Sequence, residues 1–370
     1  MRHSWQALRI VVEALRPDGG GTDAAARRLG HAEWTAPLAL ANAHLVAPSV
    51  YANLLEAGRL GDLPKDVRDY LDLVHGCNGE RNAALRRQAL ELIGGLRGAG
   101  VPLVLLKGAA SLFLDHYRDP AERMLRDIDV LVPRRAAGQA FDVLRDLGYE
   151  AEIRYPPGHH AYADFTRPDD PGAVDLHFEL VDPKYILPAG EIWQRARSAS
   201  VDGHEFLVPS PTDLMLHHVL HAQIHYLGNF YRGVLDLRQL HEFATLTRHY
   251  GAAIDWPFIA RRMAQYRLDV PLQSYALATE RLLGLPWPLG KRPGIAAHLH
   301  YRRCVAQFHL PALAWLGIPW GNLRSSFAGH RLNALYGAEG RLLPKMARHA
   351  AQYLEKHKAD AVIGRLFRVR

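Results

Sequence analysis

Asp127-Ile-Asp-Val-Leu-Val132 is the stretch from which the rest of this chain can be read. Alternation with a period of two places the Asp127 and Asp129 carboxylates on one side of an extended strand, while Ile128, Val130, Leu131 and Val132 anchor it in a core. Two carboxylates this close raise one another's pKa unless a cation lies between them, and Mg²⁺ favours a few carboxylate oxygens together with substrate phosphates. The pattern therefore suits a divalent ion, Mg²⁺ or Mn²⁺, in a phosphoryl-transfer site. A purely structural alternative stays open at this point, with Arg126 or Arg123 neutralising the acids at a strand end.

Upstream, Val101-Pro-Leu-Val-Leu-Leu106 has the length and apolar continuity of a strand and runs through Lys107-Gly108 into a helical pattern expected to reach Tyr117. Gly108 has no Cβ, so backbone amides at the helix start can approach a phosphate, although a plain strand-to-helix turn uses the same residue. Downstream, Pro133 opens a helix expected to reach Leu147, Gly148 stops it, and an extended stretch follows. His159-His160 falls in a Pro-Gly loop before a further strand and reads as solvated loop or as substrate contact. The third strand, Ala173-Val-Asp-Leu-His-Phe-Glu-Leu180, alternates so that Asp175, His177 and Glu179 share a face. From that face His177 can bind a phosphate, orient Asp175 or ligate a metal.

Outside this core the spacing is helical. Leu8, Val11, Val12 and Leu15, then Leu85, Leu92, Ile93 and Leu96, mark helices broken at Asp18-Gly-Gly-Gly-Thr22 and Gly61-Asp-Leu-Pro64. Past residue 210, Pro211-Thr-Asp leads into a helix expected over Leu214–Leu227, followed by helices through Leu283 and a basic tail. The expected fold is α+β: a small mixed β-sheet core at 100–208 between helical regions at 1–99 and 209–370. His217, His221 and His225 fall at i, i+4 and i+8 on one helix face, a spacing that zinc sites use. Neither a cysteine nor an HExxH glutamate accompanies them, so they read as the lining of an acceptor pocket or as a polar seam in which Asp236 accepts a histidine N–H.

An apolar fraction of 48% with 22% charged residues excludes disordered and collagen-like classes, and 370 residues exceed what one core usually supports. Cys77 and Cys304, the two cysteines, cannot form a zinc cluster alone and read as reduced thiols. With no uninterrupted apolar run of about 20 residues, a cytoplasmic setting is expected. The net charge of +7 equals the surplus of ten Lys/Arg over three acids in residues 321–370, which leaves the other 320 residues neutral. Broad attraction to polyanions is thereby confined to the tail, a solvated basic helix or a docking element for an acidic partner, RNA or anionic lipid. A template-directed polymerase is not expected, because the body of the chain offers no net positive charge for a nucleic acid.

Leu106-Lys-Gly108, Arg123-Met-Leu-Arg-Asp-Ile-Asp-Val-Leu-Val132, Val174-Asp-Leu-His-Phe178 and His221-Ala-Gln-Ile-His225 with Asp236, in this order over roughly residues 30–250, resemble a family of uncharacterised bacterial nucleotidyltransferases within the superfamily of DNA polymerase beta. The resemblance implies that Asp127, Asp129 and Asp175 are catalytic and hold two Mg²⁺ or Mn²⁺ ions, with Asp175 helping to deprotonate the attacking hydroxyl. It implies transfer of an NMP from an NTP to a hydroxyl or phosphate of a small molecule, sugar or peptide. Lys107, Gly108, Arg123 and His177 are the implied nucleotide contacts, and His221, His225 and Asp236 the implied acceptor side. The superfamily usually has Gly-Ser where this chain has Gly108-Ala109, so Lys107 is expected to replace the missing hydroxyl, ahead of Ser111. The longer interval to Asp127 suggests that the loop Tyr117–Arg126 rebuilds part of the pocket, with Arg123 as a phosphate clamp. Two other readings compete. A D-x-D glycosyltransferase would require a Rossmann-like half upstream, where residues 1–96 read as helices. A non-catalytic nucleotide- or partner-binding module is favoured by Ala109 and opposed by the three clustered acids.

Overall fold

The computed structural model describes residues 5–16, 31–156, 159–226, 228–337 and 339–366. The Asp18–Thr22 breaker, the Pro157-Gly158 turn, Leu227 and the last four residues of the basic tail lie outside the described residues. Four helices come first: α1 (Trp5–Ala14), α2 (His31–Ala43), α3 (Ala47–Glu56) and α4 (Lys65–Gly98). A single 3₁₀ turn at Leu60–Asp62 occupies the Gly61 breaker. The sheet region follows as β1 (Val104–Leu105), α5 (Lys107–Ser111), β2 (Asp127–Leu131), α6 (Ala137–Asp146), β3 (Glu150–Arg154), β4 (Ala161–Thr166), β5 (Ala173–His177), α7 (Ala189–Arg195), β6 (Arg197–Val201) and β7 (His204–Val208). The remaining helices are α8 (Pro211–Gln223), α9 (Asn229–Arg232), α10 (Leu237–Tyr250), α11 (Trp256–Gln265), α12 (Asp269–Leu283), α13 (Ile295–His309), α14 (Pro311–Ser326), α15 (Gly329–Tyr336) and α16 (Leu342–Leu366). No single described helix is long and apolar enough to cross a membrane.

The seven strands form one mixed sheet in the order β3-β4-β5-β2-β1-β7-β6, flanked by helices as the α+β expectation requires. β2 runs parallel to β5 and antiparallel to β1, while β1 runs parallel to β7. Alternation along β2 sorts its side chains between two cores. Ile128 and Val130 join Leu85, Leu92 and Ile93 from the second half of α4, whereas Leu131 joins Leu8, Leu40, Leu216 and Phe243 from the helical regions on both sides of the sheet in sequence. Asp127 and Asp129 share the parity of Leu131, so they face the helical body.

Three segments differ from the pattern read in sequence. The helix expected to run to Tyr117 stops at Ser111, because the next fifteen residues are held from outside. Asn78 Nδ2 donates to the Ala121 and Arg123 carbonyls at 2.5 and 3.1 Å, and Asn82 Nδ2 donates to those of Pro120 and Arg123 at 2.6 and 2.8 Å. Pro120 is poorly suited to a helix interior, and these two buried α4 amides satisfy carbonyls that helical bonds would otherwise take. The third strand ends at His177, and Glu179 leaves its face to accept from the Ala189 amide at 3.1 Å and pair with Arg134 at 3.5 Å. The β6–β7 hairpin completes the sheet around Asp202-Gly203, whose φ values of 52° and 79° suit a primed two-residue turn. That dipeptide is a hairpin signal the helical and strand periodicities had left unused.

Asn82→Ala strips a donor from two loop carbonyls and is expected to destabilise the protein by about 1–3 kcal/mol, read as a lower urea midpoint.

Candidate active site

Strand register brings the acids together. Asp129 on β2 lies opposite Asp175 on β5, and Leu131 lies opposite His177. On the other side of β5, Asp164 of β4 pairs in register with Asp175. Asp129 is buried, and its Oδ1 lies 2.5 Å from Lys107 Nζ and 3.0 Å from His177 Nε2. Coordinating atoms of Asp129, Asp175 and His177 lie within 4.8 Å of one another, the group among the described residues whose geometry suits a metal ion. Asp127 sits one strand step outward, half-buried and outside that triple. Asp164, not foreseen from sequence, accepts from the Tyr155 hydroxyl at 2.5 Å.

The electrostatics follow from this crowding. Burial alone would raise the Asp129 pKa, but the Lys107 ammonium and the His177 hydrogen bond outweigh it and hold the carboxyl well below its usual range. Asp127 is raised by the Asp129 charge and then by burial. Burial, followed by the charges of Asp129 and Asp127, pushes Asp175 up to about 8. Burial works against the Lys107 ammonium, yet Asp129 and Asp127 together raise its pKa. His177 is lowered by burial, and its Nδ1 is buried without a partner. A neutral imidazole beside two carboxylates, with more negative charge than Lys107 balances, is a donor set that fits a divalent cation.

Lys107 reaches Asp129 from a backbone φ of 45°, in the left-handed region that few non-glycine residues adopt. The next residue is glycine for want of space. A Cβ on Gly108 would stand 2.0 Å from Arg123 Nη1 and 2.2 Å from Leu125 Cδ2. The Arg123 guanidinium is thus packed onto the strand-to-helix turn, where its Nη2 donates to both Glu242 oxygens of α10 at 2.8 and 2.9 Å. Burial would raise Glu242, but Arg123 and then His218 bring it down to about 2. Ala109 is fully buried in the sheet core, and the Ser111 hydroxyl is engaged with His116 Nδ1 at 2.9 Å. Ser111 is therefore engaged elsewhere, and the charged side chains at this turn are Lys107 and Arg123.

A cleft of about 710 Å³, counting its open mouth, separates the sheet from α8 and α10. Lys107, Gly108, Arg123, Arg126, Asp127 and Asp129 line one wall, and His217, His221, Arg238, Gln239 and Glu242 the other. Asp175, His177, His225 and Asp236 lie outside this lining. Helix α8 ends at Gln223, short of the expected Leu227, so His225 lies past the helix; the seam forms all the same, with the His217 and His221 rings 6.3 Å apart, those of His221 and His225 5.5 Å apart, and His160 linking His225 to His177 at 4.6 and 5.6 Å. Its carboxylate is Asp182, which meets His160 Nδ1 at 3.1 Å, while the Asp182 amide donates to His225 Nδ1. Asp236 instead caps α10, accepting from the Gln239 amide at 3.2 Å. Burial lowers His217 and His221 well below the usual imidazole range and His225 to about 3, so these three imidazoles are neutral at pH 7. Arg238 and Glu242, one helical turn apart on α10, were not picked out from sequence. A charged i, i+4 pair beside the apolar positions Leu237 and Leu240 was their signal.

These residues fall in a recognised span. A family model described as "Uncharacterised nucleotidyltransferase" matches residues 30–284. The chain belongs to that family. All the site residues named above lie inside the matched span, and the sheet, its clustered acids and the helical wall are what this nucleotidyltransferase-family chain builds there. An antigenic nucleotidyltransferase-like protein from Paracoccidioides brasiliensis is similar over 51% of this chain and 90% of its own, at 15% identity and a TM-score of 0.33. No curated protein matches the sequence.

Glu242→Ala leaves the Arg123 guanidinium buried and unpaired, and is expected to cost about 3–5 kcal/mol in urea unfolding, most of it recovered in the double variant Arg123→Met/Glu242→Leu. Because the folded-state pKa of Glu242 is depressed to about 2, its contribution is present above the unfolded carboxylate range and fades as pH falls toward 2. Acid unfolding of the double variant should lack that component.

Proposed function

We propose that the protein transfers a nucleoside monophosphate from an NTP to a hydroxyl or phosphate of a small molecule, sugar or peptide. The observation that carries this reading is the Asp129–Asp175–His177 triple with Lys107 on Asp129; of these, Asp129 and Lys107, with Asp127, line one wall of a cleft whose other wall carries Arg238. Asp129 and Asp175, flanked by Asp127 and His177, would hold a divalent ion such as Mg²⁺ or Mn²⁺, which supplies charge stabilisation for the attacking and leaving oxygens.

The chain's own groups divide the remaining work. Lys107 balances the buried acids and faces the triphosphate, and Arg126 and Arg238 meet its charge from opposite walls. Arg123, its charge balanced by Glu242, supports the Gly108 turn from behind. The acceptor oxygen attacks the α-phosphorus, its proton passes to Asp175, and the bond to the bridging oxygen breaks to release pyrophosphate. Asp175, directly across the strand pair from Asp129, is the carboxylate placed for this general-base role. The neutral imidazoles of His217 and His221 offer hydrogen bonds to the acceptor. His225 and Asp236 hold that wall in place, one through the seam and the other as the cap of α10. The cytoplasm, where NTPs are made and used, is the setting we assign to this reaction.

The test is pyrophosphate release from each of the four NTPs with Mg²⁺ or Mn²⁺, alone and with extract of the native host. Asp129→Asn is expected to lower metal-dependent release by about 10³-fold or more while the protein stays folded. No release with any nucleotide, or release indifferent to this substitution, would sink the proposal and favour a non-catalytic binding module. Asp175→Asn, which removes the proton acceptor, is expected to lower the single-turnover rate by about 10²-fold or more.

A further inference from the structure

Residues 285–370 lie beyond the family match and have a different character from the rest. They hold fourteen Lys/Arg against three acids, whereas the first 284 residues hold 31 against 35. Among the described residues, eleven of the seventeen exposed large apolar side chains also fall here, between Ile295 and Met346. The densest part is α14. Leu310–Leu323 contains no charged residue, and Trp315, Leu316 and Trp320 are 77%, 62% and 60% exposed.

The orientation of α14 is set by its other side. Gly317, Gly321 and Ser325 recur every four residues. A Cβ on Gly321 would stand 2.2 Å from the Tyr231 carbonyl oxygen, and one on Gly317 would stand 2.4 Å from Gln307 Oε1. Arg303 Nη2 donates to the Tyr231 and Gly317 carbonyls at 2.9 and 3.2 Å. The small-residue stripe is thus locked against α9 and α13, which obliges the tryptophans to face outward. Exposed Arg302, Arg324, Arg341 and Arg348 belong to the same segment, but none interrupts the apolar run.

We propose that this segment docks the protein on an anionic lipid surface, with Trp315, Leu316 and Trp320 entering the headgroup boundary and exposed arginines of the same segment, Arg324 at the end of α14 first among them, meeting lipid phosphates. An outward apolar face with flanking cations is the composition of an element that lies in the interface plane, and no single described helix is long and apolar enough to span. A second copy of this chain fits less well, since a two-fold contact would press together two segments that each carry a surplus of eleven positive charges. Single-stranded nucleic acid calls for cations interleaved with aromatics, whereas here leucine and proline accompany the tryptophans and the cations stay outside the run. The proposal stands independently of the transfer reaction.

The experiment is co-sedimentation of the full chain with phosphatidylcholine vesicles, with and without about one third phosphatidylglycerol, at low and high salt. Expected are binding to the anionic vesicles about tenfold or more above the neutral ones, weakening with salt, and a further loss of about tenfold in W315S/W320S. Both positions are largely exposed, so circular dichroism and any pyrophosphate release should be unchanged in that variant. Failure to bind anionic vesicles, or equal binding by the variant, would overturn the proposal. A dimer seen by light scattering and lost in the variant would reassign the face to a second copy. Binding of an RNA oligomer that the variant loses, with vesicles left unbound, would reassign it to nucleic acid.

Discussion

A carboxylate buried on the central strand of a sheet is tolerable only with donors or positive charge against it, and Asp129 has both. Lys107 and His177 converge on a single oxygen of that carboxylate. Much of the surrounding architecture follows from this meeting. Lys107 must leave the end of β1 in a left-handed conformation to reach Asp129, which sets the sharp strand-to-helix turn. His177 must come from the neighbouring parallel strand, which places Asp175, two residues earlier, directly across from Asp129. The cluster still carries more negative charge than its ammonium offsets, and that excess is what makes it a candidate for a cation.

A second ion pair joins the sheet to the helical body. Arg123 leaves the loop before β2, covers Gly108 and ends on Glu242 of α10. Both groups are nearly buried, so neither wall of the cleft can shift without uncovering a charge. The same α10 presents Arg238 to the cleft, and Asp236 caps its first turn. The geometry of the acceptor wall therefore depends on the Arg123–Glu242 pair inside the cleft and on the Asp236 cap outside it.

Much of the site was legible in the chain before folding. Asp127-Ile-Asp129 declares two acids on one strand face, and Val174-Asp-Leu-His-Phe178 declares a third acid with a histidine, because side-chain alternation is local. Gly108 was legible as a close approach, but the approaching group is Arg123, which only the loop path reveals. The histidine spacing on α8 foretold a seam, and its carboxylate proved to be Asp182 from the β5–α7 connection, with Asp236 spent on the α10 cap. Asp164 was illegible, since its approach to Asp175 exists only once β4 pairs with β5.

By itself the sequence determined the order of the elements from β1 to β5, the strand face shared by Asp127 and Asp129 and that shared by Asp175 and His177, and the partition of charge between a near-neutral body and a basic C-terminal segment. Each of these depends on neighbours within a few positions, or on composition alone. Tertiary structure decided which acid meets which: Asp129 faces Asp175 and gathers Lys107 and His177, while Asp127 stands aside. It also decided that Arg123 answers to Glu242 and that Trp315 and Trp320 look outward. Strand register and helix packing are settled by contacts between residues tens to hundreds of positions apart, and no local periodicity encodes them.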